Sequence, residues 1–155
     1  MLTGIDHLVV ACPDPDAAAA ALETALGLRA TGGGEHPRFG TWNRLVWLGD
    51  AYLELIGIRD GALAAESWLG RPTLAKLAEE GGGPGLATWA VATDDLEADV
   101  ALLRARGTDL RDPIDGERVR PDGRVVRWRL AAPRRLGPSE PPFLIEHDPT
   151  AAEWT

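Results

Sequence analysis

The 155-residue chain has a single cysteine, Cys12. A disulfide framework within one chain is excluded, and a reducing, cytoplasmic location is the expectation. No apolar run reaches the roughly 18 residues of a membrane-spanning helix, so neither a span nor a membrane partner is expected. The opening stretch, MLTGIDHLVV, lacks a basic leader and a small-residue cleavage site, which predicts no signal peptide. Positive charge is in deficit: 16 Lys and Arg against 24 Asp and Glu leave a net charge of -8. That balance repels phosphate and argues against nucleic acid as a partner. One local exception, RVRPDGRVVRWR, carries five arginines.

What is present suits one soluble domain, or two small half-domains sharing a core. Apolar residues make up 45% and charged residues 26%. GIDHLVVACP is rich in β-branched residues and ends in proline, which predicts a strand. DPDAAAAALETALG follows as a helix, with Asp14 as N-cap, Pro15 at the first helical position and Gly27 as the stop. RATGGGEHPRFG reads as a glycine-rich loop or irregular strand. TWNRLVWLG and AYLELIGI read as a hairpin. RDGALAAESWLGRP is mixed, and PTLAKLAEE is a short helix stopped by Gly81, Gly82 and Gly83.

The first pattern then returns. LATWAVATDDLEADVALLRARG lies over IDHLVVACPDPDAAAAALETALG when Val91 is matched with Val10. TDLRDPIDGERVRPDG reads as loop with a short strand, and RVVRWRLAAP and PPFLIEHD as the last strands. The order β-α-(β)-β-β occurs twice, a duplication rather than a solenoid. The expected organisation is a single domain over 1–155: a first module (1–58), a linker with a short helix (59–84) and a second module (85–149).

Side chains alternate across a strand. Ile5, His7 and Val9 share one face of the first strand, and Tyr52, Glu54 and Ile56 share one face of the fourth. On the last strand Leu144, Glu146 and Asp148 oppose Phe143, Ile145 and His147. An inward His7, Glu54 and Glu146 would be costly unless paired, hydrated or bound to a cation. One imidazole and two carboxylates suit a divalent Zn, Mn, Ni or Fe. The blander alternatives stay open: His7 as a satisfied core histidine, Glu54 on a solvated face, Glu146 paired with Arg127 or Arg129.

DHLVV, the block GGGEHPRFGTWNRLVWLGDAYLELIGI, RVRPDGRVVRWRL and PPFLIEHD together resemble the glyoxalase-like group of the vicinal-oxygen-chelate superfamily. The resemblance implies an α+β fold in which two βαβββ modules form a curved mixed sheet around a cleft. It implies a divalent metal held by the first and last strands of each module, at His7, Glu54, Thr88 and Glu146. Thr88 departs from the pattern, because a hydroxyl is a poor ligand, and this equally permits a site that has lost its metal. His147 would be packing or rim. The implied chemistry is a chelated small oxygenated molecule with Glu146 or Glu54 as base, in a lyase, isomerase or dioxygenase, the protein being a homodimer. The alternative is a metal-free protein that sequesters a drug-like or aromatic molecule. Nothing resembles a glutathione site.

Further candidates for contact with a ligand are His36, Asn43 and Trp128, with Arg120 or Arg118 as a carboxylate partner. Gly40 is expected to need unusual backbone angles. Cys12 has no adjacent base and is not a nucleophile candidate. The tail DPTAAEWT either frays or is anchored by Trp154.

Overall fold

The computed structural model describes residues 1–120 and 122–152. Pro121 of the expected PDG turn and Trp154 of the tail lie outside them. The chain runs β1 (Leu2–Ala11), α1 (Pro15–Leu26), β2 (Ala30–His36), β3 (Thr41–Leu48), β4 (Ala51–Ile58), α2 (Gly61–Glu66), α3 (Gly70–Leu77), β5 (Gly85–Thr93), α4 (Leu96–Ala105), β6 (Ile114–Val119), β7 (Val125–Ala131) and β8 (Phe143–His147). Of the two readings of the glycine-rich stretch, loop or irregular strand, the structure has the strand, β2, with a register shift between Ala30 and Gly32, and the mixed linker contains a further helix, α2.

The helices start where side chains satisfy free backbone donors. Asp14 accepts from the amides of Asp16 and Ala17, Asp60 from Ala62 and Leu63, and Asp95 from Ala98. Gly27 ends α1 at φ +70°, a conformation cheap only for glycine. Gly40 (φ +64°) has a second constraint. Its carbonyl accepts from the amides of Arg59 and Asp60, and a Cβ there would sit 2.4 Å from the Asp60 carbonyl oxygen.

Eight strands form one mixed sheet in the order β2-β3-β4-β1-β5-β8-β7-β6. Each half is a βαβββ unit whose first strand runs parallel to its last: β1 with β4, β5 with β8. The halves join antiparallel at β1 and β5. The sheet curls until its end strands approach. Arg118 Nη1 on β6 donates to the Gly33 carbonyl on β2 at 2.7 Å, so the curve is nearly a closed barrel.

Helices cover the outer face. Ala18, Ala19 and Leu22 of α1 pack on Cys12, Val46 and Leu55, and Leu96 and Val100 of α4 pack on Ala131 and Leu144. The inner face has its own apolar cluster, with Val9, Ala11, Ile56, Ala90, Phe143 and Ile145 meeting Leu69 of the linker, and Phe39, Trp68 and Trp128 at its border.

This division of faces corrects one expectation. On β8, Phe143, Ile145 and His147 face inward, while Leu144 is buried under α4 and Glu146 shares its outward side. Alternation separates two faces but does not say which one looks inward. Both faces of β8 carry large apolar residues, so polarity could not choose; helix α4 claims Leu144, and that decides it.

Candidate functional site

A bulge builds the floor of the site. Between β1 and β5, Ile5 pairs with Val91 and His7 with Ala90, so Asp6 is an extra residue on β1. A bulge of this kind re-aims side chains. Here the consecutive side chains of Asp6 and His7 are both buried, 6% and 3% exposed, and joined by a hydrogen bond.

Asp6 bridges two imidazoles. Its carboxylate lies 2.6 Å from His7 Nδ1 and 2.9 Å from His147 Nε2. His7 Nε2 in turn lies 3.4 Å from Glu54 Oε2. Glu54 Oε1 accepts from Asn43 Nδ2 at 2.7 Å, and Asn43 Oδ1 accepts from the Gly34 amide at 2.9 Å. The same Asn43 amide nitrogen stands 3.3 Å from His36 Nε2, and His36 Nδ1 stands 3.1 Å from Thr41 Oγ1. One polar chain thus runs His147–Asp6–His7–Glu54–Asn43–His36–Thr41.

The charges follow from the partners. Burial alone would push the His7 pKa down, but Asp6 and Glu54, one on each ring nitrogen, outweigh it and raise it to about 9. His7 is therefore an imidazolium, hydrogen-bonded to Asp6 through Nδ1 and ion-paired with Glu54 through Nε2. Burial would raise the Glu54 pKa; hydrogen bonding and charge from His7 dominate and hold it at about 2. Asp6 is likewise held far below the usual carboxylate range, against its burial, by His147 and His7. His36 is lowered, first by burial and then by the nearby Arg118 and His7, despite Glu54. A neutral His36 fits its partners: Nε2 accepts from Asn43, and Nδ1–H donates to Thr41.

Above this floor is an apolar cavity of about 70 Å³. One water needs roughly 10–15 Å³ by the same measure, so the space suits a ring-sized group or a few waters. Its walls include Phe39, Tyr52, Trp68, Trp128, Phe143 and Arg118. Tyr52 stacks on His7, with ring centroids 4.6 Å apart. Trp68 meets Phe39 and Phe143 edge-on at 5.5 and 5.3 Å. Gly116 faces Trp128 across β6 and β7, and a Cβ there would come within 2.3 Å of the indole nitrogen. At His36, Phe39, Trp128 and His147 the cavity meets a wider outer groove.

Of the residues expected from sequence, the structure brings together His7, Glu54, His36, Asn43 and Trp128. It does not bring Glu146 to them. Glu146 is half-buried and borders the outer groove. Its neighbours Arg127 and Arg129 pair instead with Glu117, and with Glu97 and Asp115. Arg120 lies beyond the end of β6, 3.3 Å from Asp122, and does not line the cavity; Arg118, two residues earlier, does. The reason is register: Arg118 pairs with Val126, an inward residue of β7. Asp6 and Trp68 carried no sequence signal for the site, Tyr52 carried only its place on the Glu54 face, and His147, read as packing or rim, is hydrogen-bonded to the floor.

The duplication tests whether a metal fits. Laying Val91 over Val10 carries His7 onto Thr88 and Val9 onto Ala90. Val9 pairs with Glu54, and Ala90 pairs with Phe143. The two positions of the second half that match His7 and Glu54 are therefore Thr88 and Phe143. Thr88 Oγ1 is buried with no hydrogen-bond partner among the described residues, and a phenyl ring offers no lone pair. Among the described residues no three His, Cys, Asp or Glu converge as a metal site. The donor set does not fit a divalent ion held from both halves.

The glyoxalase-like domain model matches residues 5–155. No curated protein matches the chain. Among solved structures, a hypothetical protein from Staphylococcus aureus is 22% identical with a TM-score of 0.75 over 93% of this chain, which spans 58% of that one. Methylmalonyl-CoA epimerase from Mycobacterium tuberculosis is 22% identical, with a TM-score of 0.68 over 96% of this chain and 91% of its own. A variant of the Streptomyces coelicolor methylmalonyl-CoA epimerase, in complex with 2-nitronate-propionyl-CoA, is 24% identical, with a TM-score of 0.65 over 94% and 98%. At these identities the likeness is one of fold.

Proposed function

The chain belongs to the glyoxalase-like domain family, and we propose that within it this protein binds a small, mostly apolar organic molecule in the inner cavity without a divalent metal. The observation that carries the reading is the pairing of an aromatic wall with a fixed polar floor, the arrangement expected of a small-molecule site. The floor needs no cation. His7 sits between two carboxylates and supplies one of the two positive charges they call for, and Arg118, lining the same cavity, supplies the other.

A proton-transfer enzyme is the second reading, favoured by His36. It is a neutral imidazole at the junction of cavity and groove, held in one tautomer by Asn43 and Thr41. Its one lone pair, on Nε2, faces the Asn43 amide, so in this reading His36 takes a proton by exchanging that contact for the substrate. Glu54 is a weaker base candidate, since a carboxylate held at about 2 has little affinity for a proton and would give up its His7 and Asn43 partners on taking one. Its role in this reading is to keep His7 charged and to fix Asn43, which in turn orients His36.

The test is a screen of fluorinated aromatic fragments by ligand-observed fluorine NMR. Wild type and Val126→Phe, which enlarges a cavity-lining side chain of β7, are compared. Fragments that bind wild type and are lost in the variant support the reading. Equal binding to both would place the fragments elsewhere and refute it.

A further inference from the structure

The cavity wall contains a donor with nothing to donate to. Trp68 Nε1 is buried and, among the described residues, meets no acceptor. An unsatisfied buried N–H is a liability that folded proteins rarely leave in place without a purpose. Trp68 is not placed loosely. Ser67 Oγ donates to the Phe39 carbonyl at 3.1 Å and accepts from the Gly70 amide at 2.8 Å, which fixes the turn between α2 and α3. Phe39 and Phe143 then hold the indole by its edges. The ring cannot swing out to water without breaking both contacts.

Among the described residues no acceptor reaches the indole N–H. Glu54 already accepts from Asn43 and faces His7. We infer that Trp68 is a ligand-recognition donor, and that the cavity's ligand carries a neutral carbonyl-type oxygen on a flat apolar body. Neutrality follows from the charges present. The two carboxylates, Asp6 and Glu54, are balanced by the two cations at the cavity, His7 and Arg118, and Arg118 is held by the Gly33 carbonyl. An anionic ligand would add an uncompensated charge in an apolar space. Flatness follows from the aromatic rings that bound the space. This rests on the small-molecule reading above and names the ligand class for the same cavity.

The probes are 4-fluoroacetophenone and 4-fluoro-α-methylstyrene, which share a shape but only the first of which has an acceptor oxygen. Dissociation constants are measured by fluorine NMR on the full chain and on Trp68→Phe. The expected result for wild type is about a tenfold preference for the ketone, or about 1.4 kcal/mol. Trp68→Phe keeps the ring and removes the donor, and should erase the preference by weakening the ketone alone. Equal affinities in wild type, or a preference that survives Trp68→Phe, would overturn the inference while leaving the small-molecule reading intact. Failure of both probes to bind wild type would bring down that reading and this one with it. If Trp68→Phe does not fold, the wild-type indole proton of Trp68 is the readout. It should shift with the ketone and not with the alkene, and an unmoved signal at ketone saturation overturns the inference.

Discussion

His7 makes the stability of this protein depend on pH in a defined window. Its pKa rises from an ordinary 6.5 to about 9 on folding, because Asp6 and Glu54 favour the imidazolium more than burial disfavours it. The folded state therefore binds a proton that the unfolded chain releases above pH 6.5. The contribution is fully present below 6.5 and is lost as pH rises through about 9. A tenfold difference in proton affinity between the folded and unfolded chain is worth about 1.4 kcal/mol, so wild type should lose about 3 kcal/mol across that window. This is a large fraction of the roughly 5–15 kcal/mol that holds a typical domain together. With an m-value of about 2 kcal/mol/M, the urea midpoint should fall by about 1.5 M between pH 6.5 and about pH 9.5. The Met1 amine is also raised, by its hydrogen bond to Asp94, so the decisive quantity is the difference between wild type and His7→Gln. The variant should be less stable at about pH 6 and should lack the alkaline fall. A wild-type midpoint that stays level over this range would refute the assignment of charge to His7, as would a slope that His7→Gln retains.

Glu54→Leu should cost about 3 kcal/mol or more in urea unfolding, because it leaves His7 and Asn43 without their buried acceptor, whereas Glu146→Gln should stay within about 0.5 kcal/mol. Equal effects would contradict the face assignment on β8. Addition of Zn, Mn or Ni should leave the melting temperature unchanged, since two donors from one half of the sheet make a weak site; a metal-dependent rise abolished by His7→Ala would show that the mismatch at Thr88 and Phe143 had been misread. Gly40→Ala should cost about 2 kcal/mol from its left-handed backbone and the contact with Asp60, as measured by thermal unfolding.

Much of this protein was determined by local sequence. Asp14 with Pro15, Asp95 and Gly27 set helix ends through short-range capping, which needs no tertiary partner. The return of strand, capped helix and hairpin after Pro84 marked the duplication, and the resemblance to the glyoxalase-like group implied the α+β plan of two βαβββ halves. His7 and Glu54 stood out because an ionisable residue inside an apolar strand is locally anomalous. Tertiary structure alone decided the rest. The bulge that turns Asp6 inward exists only in the pairing of β1 with β5. The inward face of β8 was chosen by where α4 packs, which brought in His147 and set Glu146 outside. Trp68 entered the cavity because Ser67 and Gly70 fold the linker back over the sheet. These are contacts between residues far apart in the chain, and no periodicity within a single strand carries information about them.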